Sequence, residues 1–161
     1  MDAKQTGPSE PGTSLALARS PSISGAFADL RSAPAAMTNI GADEPDRDRL
    51  LMKTLGEPDF SADDLFGSVF LLSRYIAMGA SWEGESESDS RDGVRTVLID
   101  VDGQTASFGS DGIVRALDML IACRGPGPWN PPIPVRLKQY STARGRRRYT
   151  LEIVALPDGQ R

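Results

Sequence analysis

The chain has 161 residues and a formal net charge of −4 at pH 7, with one cysteine and no histidine. A single cysteine excludes a disulfide framework within the chain, so a reduced, cytosolic setting is the default expectation. The absence of histidine excludes histidine-based acid–base catalysis and every histidine-containing zinc site.

Charge is distributed unevenly along the sequence. Residues 133–161 carry seven basic and two acidic side chains, whereas residues 81–92 carry five acidic side chains and one arginine. The net acidity therefore says little about the partner, because the basic charge is concentrated in one segment.

Residues 1–45 are predicted to form a disordered tail, because residues 1–42 consist mainly of Gly, Pro, Ser, Ala and Thr. The few bulky apolar side chains cannot offset the entropy of ordering the backbone. The segment lacks the basic start and apolar run of a signal peptide. No stretch approaches the roughly 18 consecutive apolar residues of a membrane helix, so we expect no membrane partner. The alternative to a solvated linker is an arm that recruits another protein.

A short helix and linker are predicted over residues 46–63, followed by a folded domain over residues 64–157 and a C-terminal end over residues 158–161. Residues 66–78 are rich in β-branched and aromatic side chains, which predicts a long first strand. An acidic loop follows over residues 82–92.

Alternating apolar side chains over residues 93–101 predict a second strand. Asp102-Gly103 is a strong two-residue hairpin signal and leads to a short third strand over residues 104–108. A helix then begins after Ser110, the expected N-cap, and ends at Arg124-Gly125.

The last predicted element is a β-hairpin over residues 133–156, read IPVRLKQYSTARGRRRYTLEIVAL. Apolar and polar side chains alternate in both runs, which is typical of half-buried strands. Gly145 can take positive φ in the turn. We expect Arg136, Lys138 and Tyr140 to lie on the outer face.

The order strand, strand, strand, helix, strand, strand is that of the OB-fold, a five-stranded Greek-key β-barrel. Residues 66–156 resemble the single-domain, single-stranded-DNA-binding proteins of bacteriophages and mobile elements. The resemblance is carried by GSVFLLSRYIAM, VRTVLIDVDG, SDGIVRALDMLI and IPVRLKQYSTARGRRRYTLEIV. It implies a mainly β, non-catalytic protein without a cofactor that binds single-stranded DNA in replication or recombination. The setting would be the cytoplasm of a bacterial or phage-infected cell, and barrel edges commonly pair such proteins into homo-oligomers.

Binding of single strands requires cations along the phosphates and aromatic faces for the bases. The candidate side chains are the cations Arg74, Arg136, Lys138, Arg144, Arg146, Arg147 and Arg148 and the aromatics Trp82, Trp129, Tyr140 and Tyr149. Both tryptophans lie among polar or proline residues, so we expect them to be exposed. For Tyr149, core packing is an equally good interpretation, because it alternates in phase with Leu151 and Ile153. For residues 146–148, the alternative is a solvated turn.

The acidic loop opposes this interpretation, because the first inter-strand loop of an OB-fold commonly contacts nucleic acid. The loop, or the N-terminal tail, would instead meet replication or recombination proteins. A second hypothesis makes the same barrel a protein-interaction or virion-associated module whose basic hairpin binds an acidic partner.

A third hypothesis rests on VLIDVDGQT, residues 97–105, which resembles the aspartate loop of haloacid-dehalogenase-like phosphatases. That resemblance implies Asp100 as nucleophile and Asp102 as general acid–base, with Mg²⁺ balancing charge. Gln104 replaces the expected threonine, and no paired-acid motif follows to complete a metal site. We therefore predict no enzyme and no metal. Cys123, near the end of the helix, is predicted to be a buried, inert thiol.

Overall fold

A computed structural model describes residues 36–82 and 91–155. The strands and helices are, in chain order, β1 Ala36–Thr38, α1 Arg47–Leu55, α2 Ala62–Leu65, β2 Phe70–Trp82, β3 Arg91–Asp100, β4 Thr105–Phe108, α3 Asp111–Arg124, β5 Ile133–Ser141 and β6 Arg147–Ile153. The predicted order of strands and helix from β2 to β6 is confirmed.

The strands form one open antiparallel sheet in the order β4-β3-β2-β5-β6, with β1 also paired to β2. The protein is therefore mainly β, as predicted. The sheet has six strands rather than five, because Ala36–Thr38 pairs with Ile76–Met78 on the edge of β2 that β5 leaves uncovered.

The predicted boundary of the tail at residue 45 is wrong. Residues 36–45 contact the sheet: Thr38 Oγ1 donates to the Tyr75 carbonyl (2.7 Å), and Asn39 Oδ1 accepts from the Tyr75 N–H (2.7 Å). Ile40 is buried against Leu50 and Ile99. A few well-placed side chains thus order a segment whose average composition is that of a linker. Residues 1–35 lie outside the described part of the chain.

The first long strand begins four residues later than predicted. Ser61 and Asp64 form a capping box, in which each side chain accepts from the backbone N–H of the other, and this starts α2. Gly67 then takes φ 78° and turns the chain into β2. At its other end, β2 stays paired with β3 as far as Trp82↔Arg91, so Trp82 ends a strand instead of opening a loop.

The core lies between the sheet and α3. Tyr75, Leu72 and Leu98 from the sheet and Ile113 and Leu117 from the helix are at most 1% exposed. Burying each of the aliphatic side chains contributes about 1.5–3 kcal/mol. The apolar side chains Ile113, Val114, Leu117 and Leu120 therefore lie on the buried face of the helix.

The start of α3 is fixed differently from the prediction. Ser110 precedes the helix, but its hydroxyl does not cap it. Instead, Ser110 Oγ accepts from the Tyr149 N–H (3.2 Å) and donates to the Tyr149 carbonyl (3.1 Å). The helix therefore begins against the outer edge of β6, and this position brings Phe108 of β4 next to Tyr149, with ring centroids 6.4 Å apart.

Both ends of the sheet thus approach each other, although no backbone pairing between β4 and β6 occurs among the described strands.

Within residues 36–82 and 91–155, no helix has the length and hydropathy needed to cross a bilayer.

Candidate nucleic-acid interface

The basic hairpin has the predicted form. β5 and β6 pair in register from Val135↔Ile153 to Ser141↔Arg147. The turn is fixed by Thr142, whose N–H donates to the Arg146 carbonyl (2.9 Å) and whose hydroxyl accepts from the Arg146 N–H (3.2 Å). Gly145 takes φ 73°, as its place in the turn requires. The hairpin therefore presents its arginines from an ordered turn.

The outer face of β5 carries the predicted exposed side chains Arg136, Lys138 and Tyr140. The same face also carries Glu152, which lies directly opposite Arg136 and 4.0 Å from Lys138 Nζ. One carboxylate is thus close to two cations, which lowers the positive potential of this face.

Near the hairpin turn, the outer face of β5 and β6 contacts the first helical turn of α3. Arg148 Nη1 lies 3.7 Å from Asp111 Oδ2, and Thr150 donates to the Gly112 carbonyl (3.3 Å). The Tyr140 hydroxyl lies 3.1 Å from the place that a Cβ on Gly112 would occupy. Tyr140 still has 41% of its surface exposed and is the one predicted stacking side chain seen at the surface of the described residues.

Tyr149 points the other way. Its ring is half-buried between Phe66 and Phe108, with centroid distances of 6.0 and 6.4 Å. Core packing, the alternative that the sequence left open, is therefore what the structure shows for this side chain.

The predicted exposure of Trp129 is wrong. The side chain is 6% exposed and stacks on Tyr75, with ring centroids 5.7 Å apart. Its indole N–H donates to the Gly125 carbonyl (3.1 Å), and its backbone N–H donates to the Ser73 carbonyl (2.9 Å). A proline-rich loop thus folds this tryptophan back onto the core. The side chain of Trp82 and the acidic residues 83–90 lie outside the described residues.

Arg74 does not join the hairpin arginines. Its Nε lies 2.7 Å from Glu44 Oε2, and it lines a separate cleft beside α1, with Asp46 and Asp102. The side chains of Arg74 and Glu44 are 25% and 18% exposed, so this ion pair is partly buried.

A cleft of about 350 Å³ lies where the end of β4, the start of α3 and the beginning of β6 meet. Its lining residues are Ala62, Ser107, Phe108, Gly109, Ser110, Arg146, Arg147, Arg148 and Tyr149. The three arginines of this cleft are among the candidate phosphate contacts named from the sequence. The opposite wall, residues 107–110, was missed, because no local pattern shows that it lies beside β6.

The three arginines of the cleft differ in their surroundings. Arg148 is paired with Asp111, whereas Arg146 and Arg147 are exposed and form no salt bridge within residues 36–82 and 91–155. Arg144, in the turn, is likewise exposed and without a salt bridge to these residues. At the turn and in the cleft, the hairpin therefore presents three exposed arginines that form no salt bridge with the described residues.

The aspartates of the VLIDVDGQT segment organise a turn. Asp100 Oδ1 accepts from the N–H groups of Asp102 (2.9 Å) and Gln104 (2.8 Å), and Gly103 takes φ 78°. Burial raises the pKa of Asp100 above its usual value, partly offset by these hydrogen bonds. Among the described residues, no group of three or more acidic or cysteine side chains could hold a metal ion.

Two side chains of α3 differ from the prediction or were not foreseen. Cys123 was predicted to be buried but is exposed, on the solvent side of the last turn of the helix. Asp118 is 7% exposed and forms no hydrogen bond or ion pair with the described residues. Burial raises its pKa to about 6, and burial together with the Asp118 carboxylate raises the pKa of Tyr75 to about 12.

Comparisons with models of protein families, with curated proteins and with solved structures gave no match.

Proposed function

We propose that the chain is a non-catalytic, single-stranded-DNA-binding protein of the OB-fold type, acting in replication or recombination. The observation that carries this proposal is the cluster of exposed Arg144, Arg146 and Arg147, which form no salt bridge with the described residues, on an ordered β-hairpin turn beside a cleft. Arginine guanidinium groups suit phosphate oxygens, because they present several N–H donors in a planar fork.

The topology supports the same proposal. In the OB-fold, the loop between the fourth and fifth strands is a common oligonucleotide contact. The turn between β5 and β6 occupies that position when β2 is counted as the first strand. The order β4-β3-β2-β5-β6 places the third and fifth strands of that count at opposite ends of the sheet, where the contacts of Ser110 and Phe108 with Tyr149 bring them together.

The test is a titration of a fluorescently labelled oligo-dT, followed by anisotropy at several salt concentrations. If three arginines neutralise phosphates, the slope of log K against log salt should be about −2. The label belongs on the DNA, since the buried Trp129 would not report on the ligand. No binding at low salt would overturn the proposal, as would equal affinity for single-stranded and duplex probes.

A protein-interaction module is the second candidate, favoured by the inward packing of Trp129 and Tyr149. With those aromatics packed inward, the hairpin offers positive charge more than stacking surfaces. An acidic protein segment can bind to positive charge without any stacking surface. An acidic peptide that binds the hairpin while oligo-dT does not would favour this candidate.

A further inference from the structure

We infer that the cleft between the start of α3 and the beginning of β6 is a phosphate subsite, which holds one phosphate group of the bound strand between Arg146 and Arg147. This inference rests on the proposed function, because the phosphate is taken to belong to single-stranded DNA.

Charge is the first argument. Of the three guanidinium groups that line the cleft, Arg148 is partly neutralised by Asp111 at 3.7 Å. Arg146 and Arg147 have no such partner among the described residues, so a phosphate in the cleft would supply the missing negative charge. On the outer face of the hairpin, Glu152 already lies beside the cations. A phosphate is therefore bound more favourably in the cleft than on that face.

The second argument is the rigidity of the walls. Ser110 holds both the N–H and the carbonyl of Tyr149, and Thr142 holds both the N–H and the carbonyl of Arg146. The backbone on either side of Arg147 is thus fixed before any ligand binds. A preorganised site loses less conformational entropy on binding than a mobile one.

The third argument is size and lining. A volume of about 350 Å³ accommodates a phosphate together with part of its nucleoside. Tyr149 and Phe108 supply an apolar part of the lining, while the arginines supply the charge. Such a combination suits a phosphate carried by a nucleotide better than a bare carboxylate.

The test compares Arg147→Ala with Arg144→Ala. Both changes remove one exposed arginine of the same hairpin that lacks a salt bridge to the described residues, but only Arg147 lines the cleft. A subsite predicts that Arg147→Ala weakens oligo-dT binding about tenfold, the effect of losing one charged hydrogen bond. Arg144→Ala should weaken it only about twofold, through the general field. Equal losses in the two variants, both folded with the same unfolding midpoint, would overturn the subsite and leave the proposed function standing.

The phosphate can be a terminal monoester or an internal diester, and 5′-phosphorylated and 5′-hydroxyl oligo-dT of equal length distinguish them. Tighter binding of the phosphorylated probe, lost in Arg147→Ala, supports a terminal phosphate. Equal affinity of both probes, with the same loss in Arg147→Ala, supports an internal one.

A separate readout covers failure of the proposed function. If oligo-dT does not bind, inorganic phosphate is titrated while the backbone amide signals of Ser110 and Arg147 are followed by NMR. Saturable shifts that Arg147→Ala abolishes and Arg144→Ala preserves support an anion site in the cleft without DNA binding. No saturable shift overturns the subsite as well.

Discussion

The hydroxyl of Ser110 bonds to both backbone groups of Tyr149, at 3.2 Å to the N–H and 3.1 Å to the carbonyl. Through this one side chain, the segment that follows β4 is joined to the edge of β6. The contact has two roles. It gives hydrogen-bond partners to backbone groups of the edge strand β6, and it forms one wall of the arginine-lined cleft.

Ser110→Ala should lower the free energy of unfolding by about 1–3 kcal/mol, because it leaves both backbone groups of Tyr149 without their partner. Urea denaturation measures the change. Ser68→Ala is the matched control, since Ser68 is exposed and its side chain forms no hydrogen bond with the described residues. Equal stability of the two variants would show that the Ser110 contact is not needed.

Gly112→Ala should destabilise the protein although alanine is the better helix former. A Cβ at this position would overlap the carbonyl oxygen of Tyr149. Relieving that overlap requires the helix and β6 to move apart, at a cost of about 1–3 kcal/mol or more, against a propensity gain of about 1 kcal/mol.

The control for that variant is Gly41→Ala, where the new Cβ would meet Glu44 Cγ at 3.4 Å, an ordinary contact. Thermal unfolding of both variants should show a loss for Gly112→Ala alone. A more stable Gly112→Ala protein would contradict the close approach of α3 and β6.

The contribution of Asp118 to the unfolding free energy should be less favourable at pH 7 than at pH 4. A carboxylate paired with a cation shows the opposite dependence on pH. The folded pKa of Asp118, about 6, lies above 3.8, the usual pKa of an aspartate, so the folded state binds more protons between these values. The penalty is absent below about pH 3.8, grows up to about pH 6 and is complete above it, with an upper limit of about 3 kcal/mol.

Asp118→Asn removes this titration, so the difference in unfolding free energy between variant and wild type should change from pH 4 to pH 7. Urea denaturation at the two pH values measures it. Asp43→Asn, at an exposed position, should show no comparable change. If Asp118→Asn shows the same change in unfolding free energy between pH 4 and pH 7 as the wild type, that change belongs to other groups.

Glu152→Gln should strengthen the binding of oligo-dT if the proposed function holds. The change removes the carboxylate opposite Arg136 and 4.0 Å from Lys138 Nζ. The positive potential of the outer face then rises, so this face attracts the phosphates more strongly. For an exposed pair the gain is about two- to fivefold at low salt. Glu57→Gln, an equal change of charge at an exposed site between α1 and α2, is the control in the same anisotropy titration. Equal affinities would show that the outer face contributes nothing.

The hairpin is the element that could be predicted best. The alternation of Ile133, Val135 and Leu137 with Arg136 and Lys138 places the first set inside and the second outside, and the structure agrees. Such a pattern is local, because successive strand residues point to opposite faces.

Trp129 and Cys123 could not be placed in this way. The surroundings of Trp129 in the sequence are polar and rich in proline, yet its ring lies on Tyr75, 54 positions earlier. Cys123 belongs to a helix of which only one face is buried, and its side chain lies outside that face. Both outcomes depend on contacts between distant segments.

The sequence by itself determined the order of the elements from β2 to β6, the two faces of β5 and the concentration of arginines at the hairpin turn, because these follow from side-chain periodicity and local composition. Only the tertiary structure decided which arginines lack a salt bridge to the described residues and what lies opposite them. Glu152 and Asp111 lie close to some of the cations, and Ser110 places the start of α3 against β6 to form the cleft. Those relationships join residues up to about forty positions apart, so no local pattern could specify them.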